Sequence, residues 1–175
     1  MRPLFYWLIL TSSFLSLIPI ARAHLMDERH GTLNITNGGG FLVLAAPESI
    51  FLDYDLNNDG NLSREEFFSS YDKIKDHVSS DIQLLDGDDN VLSLQGLLLS
   101  LAASNGEKSN STKNLIIMGR FTLDQTPEEL YLQITLGINA EKENSFELIV
   151  TGKSYSQIIS FSSEKIRNRL IDKIF

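Results

Sequence analysis

Residues 55–66 read Asp55-Leu56-Asn57-Asn58-Asp59-Gly60-Asn61-Leu62-Ser63-Arg64-Glu65-Glu66, and the rest of the chain is interpreted around this stretch. Oxygen-bearing side chains occupy every second position from Asp55 to Ser63, and the carboxylate of Glu66 closes the stretch. Gly60 stands where the chain turns sharply, because glycine adopts a positive φ at little cost. The segment from Ser63 to Glu66 fits the capping-box pattern of a helix start. Residue chemistry alone therefore predicts at least a polar turn that leads into a capped helix.

The full pattern, D-x-N-x-D-G-x-L-S-x-x-E, resembles the calcium-binding loop of the EF-hand family. The resemblance implies calcium as the cofactor and oxygen ligands at loop positions 1, 3, 5, 7, 9 and 12. Calcium is a hard cation that takes several oxygens, so alternate residues of such a loop point inward around it. Asp55, Asn57 and Asp59 would each give a side-chain oxygen. Asn61 would give its backbone carbonyl, Ser63 would bind directly or through a water, and Glu66 would give both carboxylate oxygens.

Residues 47–103 as a whole resemble an EF-hand pair with one intact and one degenerate loop. Residues 47–54 are predicted to form the entering helix, since Pro47 suits a first helical position. Apolar residues recur at helical spacing after the loop and predict an exiting helix over about 64–77.

The candidate for the second loop is Asp86–Asn90, where no alignment gives a complete ligand set, so its binding of a second ion stays open. Leu92 is expected to pair with Leu62 across a short two-stranded ribbon. The leucines of 94–101 recur at helical spacing, so this segment is predicted to be the fourth helix.

The N-terminal residues 1–23 have the features of a cleaved signal peptide. Arg2 precedes a mostly apolar run, and Ala21-Arg22-Ala23 resembles a cleavage site. The expected location is secreted or periplasmic. Residues 24–46 are predicted to be a flexible N-terminal segment, because Gly38-Gly39-Gly40 offers no side chains for packing, although 32–36 and 41–44 could pair as short strands.

Residues 104–113 lack apolar side chains and are predicted to be a linker. Residues 114–175 are predicted to be a β-rich α+β region. Branched residues indicate a strand at 115–123, and alternation of apolar and polar residues indicates strands at 130–138 and 146–150. Residues 155–161 are a candidate for a further strand, and Ile166, Leu170 and Ile174 suggest a last helix. The predicted fold class is α+β: a helical EF-hand pair followed by a small antiparallel β-meander with a C-terminal helix.

Charge and residue types exclude several functions. The net charge of −8 argues against a nucleic-acid partner, which needs a basic face. No membrane association is expected after signal cleavage. The chain has no cysteine and therefore no disulfide. The sequence contains no recognisable catalytic motif, which predicts a non-enzyme.

The sequence thus predicts an exported calcium-binding protein with one working loop at residues 55–66. Calcium would serve a structural role or regulate binding to a protein partner. Two alternatives remain: a dockerin-like docking module, since dockerins use a similar loop and helix in two repeats, and an enzyme whose site lies unrecognised in residues 114–175.

Overall fold

The protein is described by a computed structural model over residues 29–36, 38–102, 114–123, 129–138 and 145–170. In these residues it forms a 3₁₀ helix, Glu48–Tyr54, and two α-helices, α1 (Arg64–Ser69) and α2 (Tyr71–Asp81). The strands are β1 (His30–Thr36), β2 (Gly39–Pro47), β3 (Ile82–Asp86), β4 (Val91–Leu92), β5 (Leu94–Ala102), β6 (Asn114–Thr122), β7 (Leu130–Ile134), β8 (Phe146–Thr151), β9 (Ser156–Phe161) and β10 (Arg167–Leu170).

The strands form two sheets. The larger has six strands in the order β5-β6-β2-β1-β8-β9, and the smaller has four in the order β10-β7-β3-β4. All pairs are antiparallel except β1 with β8, which is parallel. The predicted fold class is therefore wrong: the described chain is mostly β, and no helical EF-hand pair precedes a separate meander.

Alternation of side chains explains why the sheets stack. In β1, Leu33 and Ile35 are buried while Thr32 and Asn34 are exposed, as expected for a strand with one face in the core. The inner faces of both sheets supply one cluster of buried side chains, which also takes in residues of the helical segment between β2 and β3. Burial of these faces stabilises the fold, since each apolar face must be covered by another layer.

The prediction that residues 24–46 are flexible is wrong for the part of this segment that the structure describes. Residues 30–36 form β1 and residues 39–47 form β2, and both lie in the middle of the six-stranded sheet. The suggested pairing of 32–36 with 41–44 as short strands is confirmed. The predicted signal peptide at 1–23 and the predicted linker at 104–113 lie outside the described residues.

The predicted fourth helix at 94–101 is strand β5. A β-bulge explains the error, because Gly96 has a φ of +58° and the register with β6 shifts between Gln95 and Leu98. The extra residue breaks the period of two, so that the buried leucines are Leu94, Leu97 and Leu99. The spacing of three from Leu94 to Leu97, followed by Leu98 and Leu101, imitates a helical pattern.

The predicted C-terminal helix is also wrong. Residues 167–170 form β10, which pairs antiparallel with β7. Asn168 and Leu170 are buried while Arg169 is exposed, which is the alternation of a strand. Ile174, one of the residues that suggested a helix, lies outside the described part.

The helices near the loop follow the sequence more closely. The entering helix is a 3₁₀ helix rather than an α-helix, and Phe51 within it is non-helical at φ −109° and ψ 17°. The exiting helix is divided at Ser70 into α1 and α2, and it extends to Asp81. Within the described residues, no helix is both long and apolar enough to cross a membrane.

Candidate functional site

The loop of residues 55–66 connects the 3₁₀ helix to α1 and is attached to the core on both sides. Phe51 before the loop is fully buried, Leu62 within it is fully buried, and Phe67 after it is 2% exposed. By contrast, Leu56 near the start of the loop is 66% exposed. One side of the loop is therefore fixed by packing, while its polar tip lies in solvent.

The polar tip is folded by hydrogen bonds from the loop's own amides. The carboxylate of Asp55 accepts from the Gly60 N–H at 2.8 Å and from the Asp59 N–H at 3.3 Å. The Asn57 side-chain oxygen accepts from the same Asp59 N–H at 2.8 Å. The Asp59 carboxylate accepts from the Asn61 N–H at 2.9 Å. Oxygens at loop positions 1, 3 and 5 therefore face the inside of the turn.

The backbone of the tip needs particular residues. Gly60 has a φ of +82°, a region that residues with a Cβ rarely adopt. A Cβ at this position would meet no atom within 4 Å, so conformation and not space requires the glycine. Asn58 also has a positive φ of +58°, which asparagine tolerates better than most residues.

Glu66 joins the start of the loop to its end. One carboxylate oxygen accepts from the N–H groups of Leu56 at 2.9 Å and Asn57 at 3.1 Å. The other accepts from the Ser63 N–H at 2.9 Å and the Ser63 hydroxyl at 2.6 Å. The Glu66 N–H in turn donates to the Ser63 hydroxyl oxygen at 3.3 Å, which completes the predicted capping box.

These hydrogen bonds favour the ionised form of Glu66. The Ser63 hydroxyl, followed by the Ser63 amide and the amides of Asn57 and Leu56, holds the pKa of the Glu66 carboxyl below its ordinary value. Because the residue is only 7% exposed, the anion depends on these donors for solvation. A carboxylate at the last loop position is therefore charged at neutral pH and already held at the loop.

The six residues implied as calcium ligands thus lie in one folded loop. Asp55 and Ser63 are half-buried, Asn57, Asp59 and Asn61 are exposed, and Glu66 is buried. Among the described residues, no group of three or more His, Cys, Asp or Glu side chains is arranged to hold a metal ion. Two features of the loop account for this. The carboxylate of Glu66 is engaged by backbone amides and by Ser63. Half of the six implied ligands, Asn57, Asn61 and Ser63, would bind through amide, backbone or hydroxyl oxygens and not through His, Cys, Asp or Glu side chains.

The candidate second loop is a hairpin turn. Asp86 ends β3 and Val91 begins β4, and the Asp86 carboxylate accepts from the N–H groups of Asp88 and Asn90, both at 2.9 Å. The Asn90 side-chain amide, which also donates to Asp86, is the main cause that lowers the pKa of the Asp86 carboxyl. Leu92 pairs with Leu84 of β3, so the expected ribbon between Leu92 and Leu62 is wrong.

The sequence did not indicate a chain of polar contacts behind the loop. The Tyr54 hydroxyl lies 3.2 Å from His77 Nδ1, and His77 Nε2 lies 3.3 Å from the Asp81 carboxylate. Burial, followed by the negative charges of Asp53, Asp81 and Asp76, raises the pKa of Tyr54. Tyr54 directly precedes the first implied ligand, so these contacts hold the loop entrance against α2. The spacing of four residues between His77 and Asp81, which places both on one helix face, is the sequence feature from which their contact could have been predicted.

Comparison with known proteins adds no family to this description. No protein-family model matches the chain, and a search of curated proteins finds no significant match.

Proposed function

We propose that this chain is an exported calcium-binding protein in which residues 55–66 hold one Ca²⁺ ion. The observation that supports this most directly is the fold of the loop tip, where Asp55, Asn57 and Asp59 turn their oxygens onto the loop's own amides. A capping box alone accounts for the contacts between Ser63 and Glu66. The three inward oxygens at alternate positions before it, with Gly60 at a positive φ, add the spacing that a calcium loop uses.

The donor set has the hard oxygen chemistry that calcium prefers. Side-chain oxygens of Asp55, Asn57 and Asp59, the carbonyl of Asn61, the Ser63 hydroxyl directly or through water, and the Glu66 carboxylate would hold the ion. When bound, calcium would offset two of the three negative charges that Asp55, Asp59 and Glu66 gather in one short loop.

Glu66 sets the expected strength of binding. Its carboxylate oxygens accept four hydrogen bonds, from Leu56, Asn57 and Ser63, and some of these must be exchanged for metal contacts. The exchange costs free energy, so we expect a dissociation constant in the range of extracellular modules, on the order of 10⁻⁴ M.

The packing around the loop favours a structural use of calcium. Leu62 and Phe67 fix the loop in the same core as both sheets. The segment after α2 enters β3 without a second hand, since residues 82–102 form β3, β4 and β5 and the short connections between them. The same finding removes the second loop-and-helix repeat that a dockerin-like module requires.

The test is calorimetric titration of calcium into the protein purified from an exporting host, with its N-terminus determined by mass spectrometry. We expect one site in the wild type and loss of binding in Glu66→Gln, because the closing carboxylate is replaced by a neutral amide. Asp86→Asn is the matched control, since it removes an acid from the β3–β4 turn and should leave binding unchanged. Saturable binding that survives Glu66→Gln, or no binding at millimolar calcium, would contradict the proposal.

A further inference from the structure

The outer face of the six-stranded sheet carries a row of mostly apolar side chains that crosses all six strands. Each member is the register partner of the next, as the pairs Leu98–Met118, Met118–Val43 and Ile149–Ile158 illustrate. From β5 to β9 the row is Leu98, Met118, Val43, Thr32, Ile149 and Ile158.

Much of this row is in contact with solvent. Leu98 is 53% exposed, Ile149 is 43% exposed and Ile158 is 64% exposed. Phe41, in the adjacent row toward Arg120, is 48% exposed. Scattered exposed apolar residues are normal in soluble proteins, but a contiguous apolar surface across a sheet marks a site of interaction.

The charge of this face distinguishes it from the rest of the surface. The rows on either side of the apolar row hold mostly neutral residues: Gln95, Arg120, Phe41, Asn34, Thr151 and Ser156 on one side, and Ser100, Ile116, Ala45, His30, Glu147 and Ser160 on the other. Arg120 and Glu147 are the formal charges in these rows, and Ala45 is buried. The chain carries a net charge of −8, whereas this face balances to zero.

We propose that the outer face of the six-stranded sheet binds a second copy of this chain. Two copies each carry the same negative charge, so they repel when most surfaces meet. The neutral apolar face lets them approach without opposing like charges. A two-fold axis parallel to the strands places Leu98 of one copy opposite Ile158 of the other, and Arg120 opposite Thr151. Twisted sheets pack in this aligned manner at about −30°.

The area of the face agrees with a dimer of moderate affinity. Six strands, each about 4.8 Å wide, span about 29 Å, and three rows of outward side chains, each about 6.7 Å wide, span about 20 Å. Two copies would therefore bury roughly 1,200 Å² in total, near the lower limit of specific interfaces. We expect a dimer that dissociates in the micromolar range, on the order of 10⁻⁶–10⁻⁵ M.

The test is sedimentation equilibrium of the full mature protein over a concentration series that spans this range. The wild type should form a dimer. Ile158→Glu should weaken dimerisation at least about tenfold, because it places a charge in a desolvated apolar row. Phe68→Glu is the matched control, since Phe68 is similarly exposed at 59% but lies on α1; it should dimerise like the wild type.

A mixing experiment tests the axis and guards against misfolded variants. Leu98→Glu and Ile158→Lys should each be monomeric at concentrations where the wild type is dimeric, with thermal melts confirming that both are folded. Mixed together, they should form a heterodimer through the opposed Glu and Lys side chains. A wild type that stays monomeric throughout the series, or a dimer unaffected by Ile158→Glu, would overturn the proposal. Calcium chelation should leave the dimer intact, because none of the proposed ligands lies on this face.

Discussion

Replacement of Leu62 by alanine tests whether the loop is fixed by the core or by its polar tip. Leu62 is fully buried and belongs to the core cluster that joins both sheets. Removing a buried leucine side chain costs about 2–5 kcal/mol, the sum of lost transfer free energy and of the cavity that remains. We expect a loss of about 3 kcal/mol, which lowers the folding equilibrium constant about a hundredfold.

The same loop offers a matched control. Leu56 is also a leucine but is 66% exposed, so Leu56→Ala should change the free energy of unfolding by less than about 0.5 kcal/mol. Denaturant unfolding in calcium-free buffer measures both variants. For a chain of this size, Leu62→Ala should lower Tm by roughly 6–12 °C while Leu56→Ala leaves it nearly unchanged. Equal effects of the two substitutions would refute the packing argument, because they would show that the loop position and not burial determines the cost.

Two further perturbations test other contacts. In calcium-free buffer the free energy of unfolding should fall as the pH drops below 4.5, the ordinary pKa of Glu66. The Ser63 hydroxyl and nearby amides lower that pKa in the folded protein, so the folded state binds fewer protons than the unfolded state. The stability that these contacts contribute is therefore full above pH 4.5 and is lost as the pH falls through the lowered pKa of the folded state. Denaturant titrations should show a weaker pH dependence for Glu66→Gln, and an identical dependence would count against the capping contacts. Gly31→Ala should destabilise the protein by about 1–3 kcal/mol, since a Cβ there would lie 2.6 Å from the backbone oxygen of Val43 and the central strands cannot easily separate. Thr32→Ala, exposed on the same strand, is the control in the same thermal melts, and a cost equal to that of Gly31→Ala would show that the close approach is not the cause.

Local features of this fold could be predicted from the sequence. The capping box at Ser63 and Glu66 forms as expected, because it depends only on residues three positions apart. The strand at 115–123 was indicated by its branched residues and the strand at 146–150 by alternation, and they match β6 and β8 to within a residue. Elements such as these are set by short-range periodicity, which a single sequence displays directly.

Features that depend on distant residues could not be predicted. The parallel pairing of β1 with β8 joins residues far apart in the chain, and neither segment indicates its partner. The Gly96 bulge shifts the apolar pattern of β5, and only the pairing with β6 shows that the shift is a bulge and not a helix. The resemblance to an EF-hand correctly indicated a loop between helical segments, but it suggested a second hand where residues 82–102 supply strands to both sheets.

The strands that follow α2 in place of a second hand limit the role that a calcium ion bound to residues 55–66 could have. A sensor pair responds to calcium by opening its helices and exposing a groove, which requires helices that are free to move. In this chain Leu62 and Phe67 hold the exiting side in the core, Tyr54 is tied to His77, and α2 passes directly into β3. An ion bound to residues 55–66 would therefore add its binding free energy to the folded state without moving the helices. We expect calcium at ten times its dissociation constant to raise the free energy of unfolding by about 1.4 kcal/mol. It should not increase the binding of an apolar dye, and a calcium-dependent rise in dye fluorescence would favour the sensor instead.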